Sequence, residues 1–214
     1  MNKKVLLSIL SVVLVLSVVV FAACSNNSGI EGELTESSVD STADVNNESN
    51  NAATGEINNA ADVINKVIET YAEDKKFAAM GGTGDSLVDG KAGLIDISDK
   101  ESINGMLHTT DELIEQTDEV ASFIHGMNVN TFTSGSFKLK DADSAESFCS
   151  SLKKSVLETQ WMCGFPDEFI LFSVNNGEYV VYAVGNAEAV DYFQQQFTTV
   201  MGENAVLVAE EAIK

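Results

Sequence analysis

Two apolar runs separated by a short polar turn constrain the fold of this sequence more than any other feature. Residues 169–174 and 179–184 are rich in side chains that favour strands, and Asn175-Asn176-Gly177 lies between them. Asn-Gly between two such runs is typical of a β-hairpin with a two-residue type I′ turn. Both runs are apolar at nearly every position, so we expect two central strands that are covered on at least part of both faces.

The order of elements around this hairpin predicts an α+β fold. A strand begins near Val129, and the helix that follows carries its apolar residues on one face between positions 145 and 157. After the hairpin, Asn186 caps a last helix that Gly202 ends, and residues 205–208 form a final strand. This order of strand, helix, hairpin, helix and strand indicates a ferredoxin-like antiparallel sheet with helices packed on one face.

The strand that begins near Val129 contains an irregular pattern. Phe132 is out of the alternation that Phe137 and Leu139 share, and Ser134-Gly135-Ser136 lies between them. Along a regular strand, residues of opposite parity point to opposite faces of the sheet. We therefore expect a β-bulge or a tight turn at Ser134-Gly135-Ser136.

The region in front of this strand predicts an N-terminal amphipathic helix and two short connecting helices. Apolar residues recur at helical spacing from Ile57 to Tyr71. Ser98 and Thr110 each precede an acid-rich turn and are expected to cap the two short helices. The glycine-rich residues 78–93 are expected to form a mobile loop, since the spacing of their glycines and lysine does not fit a phosphate-binding loop.

The first 24 residues carry the features of an export signal. Two lysines precede an apolar run at residues 5–21, and Ala22-Ala23 stands directly before Cys24. Small residues before a cysteine at the end of an apolar run resemble the lipobox of bacterial lipoproteins. Phe21 departs from that motif, in which an aliphatic residue is usual at this position.

This signal sets the expected location and the domain boundaries. We expect residues 1–23 to be a cleaved signal peptide and Cys24 to be acylated, so that a lipid anchor holds the chain at the extracytoplasmic face of the cell membrane. Residues 24–55 are acidic and poor in large apolar side chains, and they are expected to form a disordered tether. We expect residues 56–214 to form a single domain. An uncleaved transmembrane anchor is the open alternative, because residues 5–23 almost suffice to span a bilayer.

The charge of the chain limits the classes of partner. All 12 basic side chains are lysines and 33 are acidic, which gives a net charge of −21. Removal of residues 1–23 takes away two lysines and no acid, so the remaining chain carries 10 minus 33, or −23. Such a field repels phosphate backbones, so we expect no nucleic-acid partner. The charge of the chain does not exclude cationic partners or metal ions.

Cysteines and histidines do not form a recognised metal or catalytic motif. With Cys24 acylated, Cys149 and Cys163 remain, either as two buried thiols or as a disulfide. His108 and His125 have no second ligand at the spacing of a metal site. We therefore expect no metal, no cofactor and no catalytic residue.

Several features together resemble a known family. They are the lipobox-like motif, the acidic tether, an amphipathic helix that ends in Tyr71, and the strand Gly177-Glu178-Tyr179-Val180-Val181 before the helix that Asn186 caps. This combination resembles the uncharacterised domain-of-unknown-function lipoproteins of low-GC Gram-positive bacteria, from about Glu56 to the end of the chain. Residues 161–166 depart from the Tyr-Pro pattern of that family. The resemblance implies an extracytoplasmic, membrane-anchored single domain, and it implies no catalytic or binding residues.

These observations favour a binding or interaction module at the cell envelope, with an unknown envelope protein or ligand as its partner. An envelope-associated hydrolase is the alternative, although the sequence contains no nucleophile elbow or zinc-protease motif. The candidate partner or ligand patch is Trp161, Met162 and Phe165, beside Pro166, because large apolar side chains are unusual in a helix-to-strand connection. This cluster either forms an exposed recognition patch anchored by Trp161 or closes the end of the core.

Overall fold

The protein is built around one antiparallel sheet of eight strands. The structure, a computed structural model, describes residues 56–127 and 131–213, all within one compact unit. The strands are β1 (Ala79–Gly81), β2 (Val88–Asp89), β3 (Gly93–Ile95), β4 (Thr117–His125), β5 (Phe132–Leu139), β6 (Glu168–Val174), β7 (Tyr179–Gly185) and β8 (Ala205–Ala212). Their order across the sheet is β2-β1-β4-β5-β7-β6-β8, and β3 also pairs with β4. The chain therefore has the α+β class that the sequence predicts.

The predicted hairpin is present, and its turn is longer than expected. Strands β6 and β7 pair in register from Glu168 opposite Gly185 to Val174 opposite Tyr179, which leaves four residues in the turn. Asn175, Asn176 and Gly177 all have positive φ angles, as the residue types favour, but a two-residue type I′ turn is wrong. Both strands lie inside the sheet and are buried along almost their whole length, which confirms their predicted central position.

The helices cover both faces of this sheet. They are α1 (Ala60–Ile68), α2 (Lys100–Leu107), α3 (Asp111–Ile114), α4 (Ala145–Leu157) and α5 (Ala187–Met201). Helices α1 and α5 pack with Phe132, Phe172 and Val181 on what we call the first face. Helices α2, α3 and α4 pack with Phe137 and other alternate strand residues on the second face. The expectation of helices on one face is therefore wrong.

The strand order also departs from the ferredoxin-like expectation. In that fold the last strand returns beside the first, whereas β8 lies beside β6 at the far edge. The connection from β5 through α4 to β6 and the connection from β7 through α5 to β8 both cross the sheet in the same direction. Because β5 and β7 are antiparallel, two crossovers of the same hand place their helices on opposite faces. Given this strand order, a single preferred hand accounts for the helices on both faces.

Strand β5 is regular through its Ser-Gly-Ser segment, so the predicted bulge or turn there is wrong. Gly135 pairs with Ser122 on one side and with Tyr182 on the other. A Cβ at this position would lie 2.6 Å from a ring carbon of Tyr182, so glycine leaves room for that ring. Phe132 and Phe137 differ in parity because each lies on a covered face.

The glycine-rich segment at residues 78–93 is ordered, and the expectation of a mobile loop is wrong. It contains β1 and β2, and Gly93 begins β3. A Cβ on Gly81 would lie only 2.2 Å from the backbone nitrogen of Gly93, so the glycines allow two backbone segments to pack together. Thr110 occupies the predicted N-cap position of α3, but its side chain makes no capping hydrogen bond. Asp99, not Ser98, caps α2 by accepting a hydrogen bond from the Ser102 backbone.

Candidate functional site

The structure divides the predicted patch into a buried part and an exposed part. The patch lies in the connection between α4 and β6, residues 158–167, which we call the end loop. Trp161 is half-buried against the second-face core, and its ring meets that of His108 edge to face with centroids 4.4 Å apart. Pro166 is buried. These two residues close the core, which is the second of the two interpretations open from the sequence.

Met162 and Phe165 instead point into solvent. Their exposed fractions are 93% and 72%, the largest of any large apolar side chains that the structure describes. Gly164 between them has a φ of 63°, a left-handed conformation that glycine adopts without strain. The end loop is therefore held at Trp161 and Pro166 and projects Met162 and Phe165 outward. We call Met162 and Phe165 the exposed pair.

Acidic side chains border the base of the end loop. The Asp167 backbone donates a hydrogen bond to Gly185 O (2.8 Å), and its carboxylate accepts one from Ala187 N (3.3 Å), so the loop is tied to the start of α5. Glu168 follows, and its pKa is raised by burial and by the neighbouring carboxylate of Asp191. Glu210 and Glu211 of β8 lie opposite Ile170 and Phe169, and Lys153 pairs with Glu211. Carboxylates therefore outnumber lysines around the base of the end loop.

The two cysteines of the domain have different environments and are not joined. Cys149 is buried in α4, and burial raises the pKa of its thiol to about 11. Cys163 is exposed between Met162 and Gly164, as a free thiol. The expectation of a buried structural thiol is confirmed for Cys149 and is wrong for Cys163, because the end loop turns away from the core at that residue.

A second concave region lies on the first face, at the end of the sheet where β4 finishes. It is a cleft of about 240 Å³ whose walls include the rings of Tyr71, Phe77, His125 and Tyr192. Phe77 stacks on His125 with centroids 4.7 Å apart, and Tyr71 meets Tyr192 edge to face at 4.8 Å. We call this region the aromatic cleft.

Polar side chains complete the lining of the aromatic cleft. They are Asp74, Lys75, Lys76, Asn186 and Glu188. Lys75 bridges to Glu188 (2.8 Å) and lies 5.8 Å from the ring centroid of Tyr192, while Lys76 pairs with Glu73 (2.6 Å). Tyr71 is only 6% exposed, and its hydroxyl has no hydrogen-bond partner among the described residues.

Both histidines pack against aromatic rings. His108 contacts Trp161 on the second face, and His125 stacks on Phe77 and accepts a hydrogen bond at Nδ1 from Met127 N (3.0 Å). Burial lowers the pKa of both imidazoles, so both are neutral at pH 7. In residues 56–127 and 131–213, no three histidine, cysteine or acidic side chains are grouped as a metal site requires.

The sequence did not indicate the aromatic cleft. Its four rings come from the segment after α1, from β4 and from α5, and no spacing along the chain connects them. Tyr71 was visible only as the end of an apolar helix face. Cys24, the predicted lipidation site, lies outside the described residues.

Comparison of the chain with protein-family models, with curated proteins and with solved structures found no match. Over the described part of the chain, the helices are too short or too polar to cross a membrane.

Proposed function

We propose that this chain is an extracytoplasmic lipoprotein that is anchored in the cell membrane through acylated Cys24. The domain from Glu56 onward then acts as a binding domain for a protein of the cell envelope. The sequence of the first 24 residues supports the anchor, and the resemblance to uncharacterised lipoproteins of low-GC Gram-positive bacteria belongs to the same proposal. The acidic tether of residues 24–55 gives the domain a reach of ~30 Å from the membrane.

The observation that carries the binding function is the exposed pair. Met162 and Phe165 are 93% and 72% exposed, although the residues on either side of the pair, Trp161 and Pro166, are held against the domain. Because the backbone on either side of the pair is held against the domain, a partner that covers the pair orders the two side chains and does not have to order the loop as well. Contact with an apolar pocket would remove both side chains from water, and burial of their apolar surface would stabilise the complex.

The charge around the exposed pair indicates the chemistry of the partner. Asp167, Glu168 and Asp191 lie at the base of the end loop, where carboxylates outnumber lysines. We infer a protein partner that has an apolar pocket with lysine or arginine side chains at its rim, because this arrangement complements both features. The same charge disfavours nucleic acid and anionic lipid surfaces as occupants.

We propose a binding role without catalysis. Each imidazole of the domain is engaged with an aromatic ring, His108 with Trp161 and His125 with Phe77, which supports a packing role for both. The alternative of a hydrolase has no observation in its favour.

Photo-crosslinking in intact cells tests this function. A photo-crosslinking amino acid replaces Met162 in one strain and Leu87, a 54% exposed residue outside the end loop, in a control strain. We expect a discrete crosslinked protein from position 162 that is missing from position 87, and we expect its loss when Phe165→Ser is added. Equal crosslinking at both positions, or crosslinking that Phe165→Ser leaves unchanged, would contradict the role of the exposed pair.

A further inference from the structure

We propose that the aromatic cleft binds a small organic ammonium ligand, whose cationic group takes the place that the ammonium group of Lys75 occupies in this structure. This inference concerns the first face of the sheet and does not depend on the exposed pair. It rests on the aromatic rings and the carboxylates that line one cleft, and on the position of the Lys75 ammonium group among them.

The position of Lys75 shows that the cleft already accommodates a cation. Its Nζ lies 2.8 Å from Oε1 of Glu188 and 5.8 Å from the centroid of the Tyr192 ring. Ring faces attract ammonium groups at this range through the ring quadrupole, and sets of aromatic rings are the usual receptors for methylated ammonium ions. Tyr71 and Phe77 line the same cleft as Tyr192, with their ring centroids 4.8 Å (Tyr71 to Tyr192) and 6.5 Å (Tyr71 to Phe77) apart, and the Lys75 ammonium group itself faces the Tyr192 ring.

The charged groups of the cleft do not oppose a cation. The lining contains two lysines, Lys75 and Lys76, and two carboxylates, Asp74 and Glu188. Glu73, which pairs with Lys76 from outside the lining, brings the local sum to one negative charge. His125 adds no charge at pH 7, because burial lowers its pKa.

Lys75 is held weakly enough for a ligand to replace it. Its side chain is 39% exposed and that of Glu188 is 80% exposed, and exposed ion pairs of this kind contribute little. Its backbone belongs to the segment between α1 and β1, in which the only regular element is the short 3₁₀ turn Glu73–Lys75. Displaced from Glu188, the Lys75 ammonium is free to move into solvent.

The cleft has room for a small ligand. Its volume of about 240 Å³ is below the usual range for drug-sized ligands and suits a compact cation. Tyr71 belongs to the lining, whereas its hydroxyl group is buried and has no hydrogen-bond partner among the described residues. The aromatic rings and Glu188, and not this hydroxyl, are therefore the groups assigned to the ligand.

Choline and its neutral isostere 3,3-dimethyl-1-butanol are the probes that separate charge from shape. Binding to the purified protein is followed by NMR titration of the Tyr192 and Tyr71 ring signals. We expect saturable binding of choline, and binding of the neutral isostere that is weaker by about 3-fold or more, since the ring and carboxylate interactions need the charge. Equal affinity for the two compounds, or no saturable binding of choline in the tens of millimolar, would overturn the proposal.

Variants of the cleft give results of opposite sign. Lys75→Ala should bind choline more tightly than the wild type, because it removes the internal competitor. Lys100→Ala is the matched control, because it breaks a comparably exposed ion pair with Glu115 on the second face, and it should leave the affinity unchanged. Glu188→Gln should weaken binding only slightly, because a carboxylate at so exposed a position contributes little, and it should not affect the fold. Tyr192→Phe should keep binding and Tyr192→Leu should lose it. Unchanged or weaker binding by Lys75→Ala would show that the Lys75 position is not the ammonium site.

Discussion

The indole ring of Trp161 meets the imidazole ring of His108 edge to face, with centroids 4.4 Å apart. This contact joins the end loop to the end of α2, since His108 is the residue that ends that helix. The same histidine accepts a hydrogen bond at its carbonyl from the Ser155 hydroxyl of α4 (2.6 Å). Trp161 therefore acts as a structural anchor, and Met162 and Phe165 are left as the exposed part of the predicted patch.

Replacing Trp161 with alanine should destabilise the domain. The side chain is half-buried against the second-face core, so its loss should lower the free energy of unfolding by about 2–3 kcal/mol, somewhat less than for a fully buried tryptophan. Urea unfolding of the domain from Glu56 onward measures this change. Stability within about 0.5 kcal/mol of the wild type would show that Trp161 does not close the core.

Replacing Met162 and Phe165 with serine should leave stability unchanged. Both side chains lie in solvent, so the double variant should unfold within about 0.5 kcal/mol of the wild type in the same experiment. This double variant is the matched control for Trp161→Ala, because all three positions lie in the end loop. A loss as large as that of Trp161→Ala would mean that the exposed pair packs on the domain.

Gly135 should not tolerate a side chain. A Cβ there would lie 2.6 Å from a ring carbon of Tyr182, and that ring is fixed because its hydroxyl donates to Leu107 O (2.8 Å). We expect Gly135→Ala to destabilise the domain by about 1–3 kcal/mol through this overlap.

Gly105→Ala is the control for that substitution. Gly105 lies in α2, where an added Cβ meets nothing within 4 Å, so helix propensity should raise stability by up to about 1 kcal/mol. Thermal unfolding compares the two variants. Similar effects of both substitutions would contradict the close packing of Tyr182 over Gly135.

The carboxyl group of Glu168 should make the domain less stable as the pH rises. Burial and the neighbouring Asp191 raise its pKa in the folded state above the unfolded value. A carboxyl with a raised folded pKa holds its proton more tightly when folded, so it favours folding at low pH and this contribution is lost as the pH rises through the folded pKa. Glu168→Gln should therefore have a higher melting temperature than the wild type at pH 7, and the difference should shrink toward pH 4.

Cysteine acylation is testable on the whole chain in its host. Metabolic labelling with a fatty-acid probe should mark the wild type and leave Cys24→Ala unmarked, since the lipobox-like motif places the acceptor at that residue. Cys163→Ala serves as the control and should retain the label. Label that persists in Cys24→Ala would contradict the proposed anchor.

The sequence predicts local elements of this fold better than their arrangement. The hairpin strands β6 and β7 and helices α4 and α5 follow from patterns within a few residues, and the structure has them at the predicted places. The position of β8 beside β6 depends on pairing between distant strands, which no local pattern specifies. Phe132 and Phe137 have opposite parity because they point to opposite faces of β5, and both faces are covered. With helices expected on one face only, the same parity instead predicts a bulge.

The candidate sites likewise combine features that the sequence predicts with features that only the tertiary structure reveals. Trp161, Met162 and Phe165 are all large and apolar, so composition alone marks the end loop and cannot separate the anchor from the exposed pair. That separation depends on His108, which lies more than fifty positions earlier in the chain. The aromatic cleft brings together Tyr71, His125 and Tyr192 from three distant elements, so only the tertiary structure reveals it.

The alkylation rate of Cys163 in intact cells tests the central claim most directly. This exposed thiol lies between Met162 and Phe165, so it reports both the location of the domain and the coverage of the exposed pair. The reagent is a maleimide that does not cross membranes. Cells carry either the wild type or Met162→Ser/Phe165→Ser, and the purified proteins give the unprotected rates.

We expect Cys163 of the variant to react in intact cells at the rate of the purified protein, and Cys163 of the wild type to react more slowly because a partner covers the exposed pair. Variant protein that reacts only after the membrane is broken would contradict the extracytoplasmic location. Equal rates for the wild type and the variant in intact cells would contradict recognition through Met162 and Phe165.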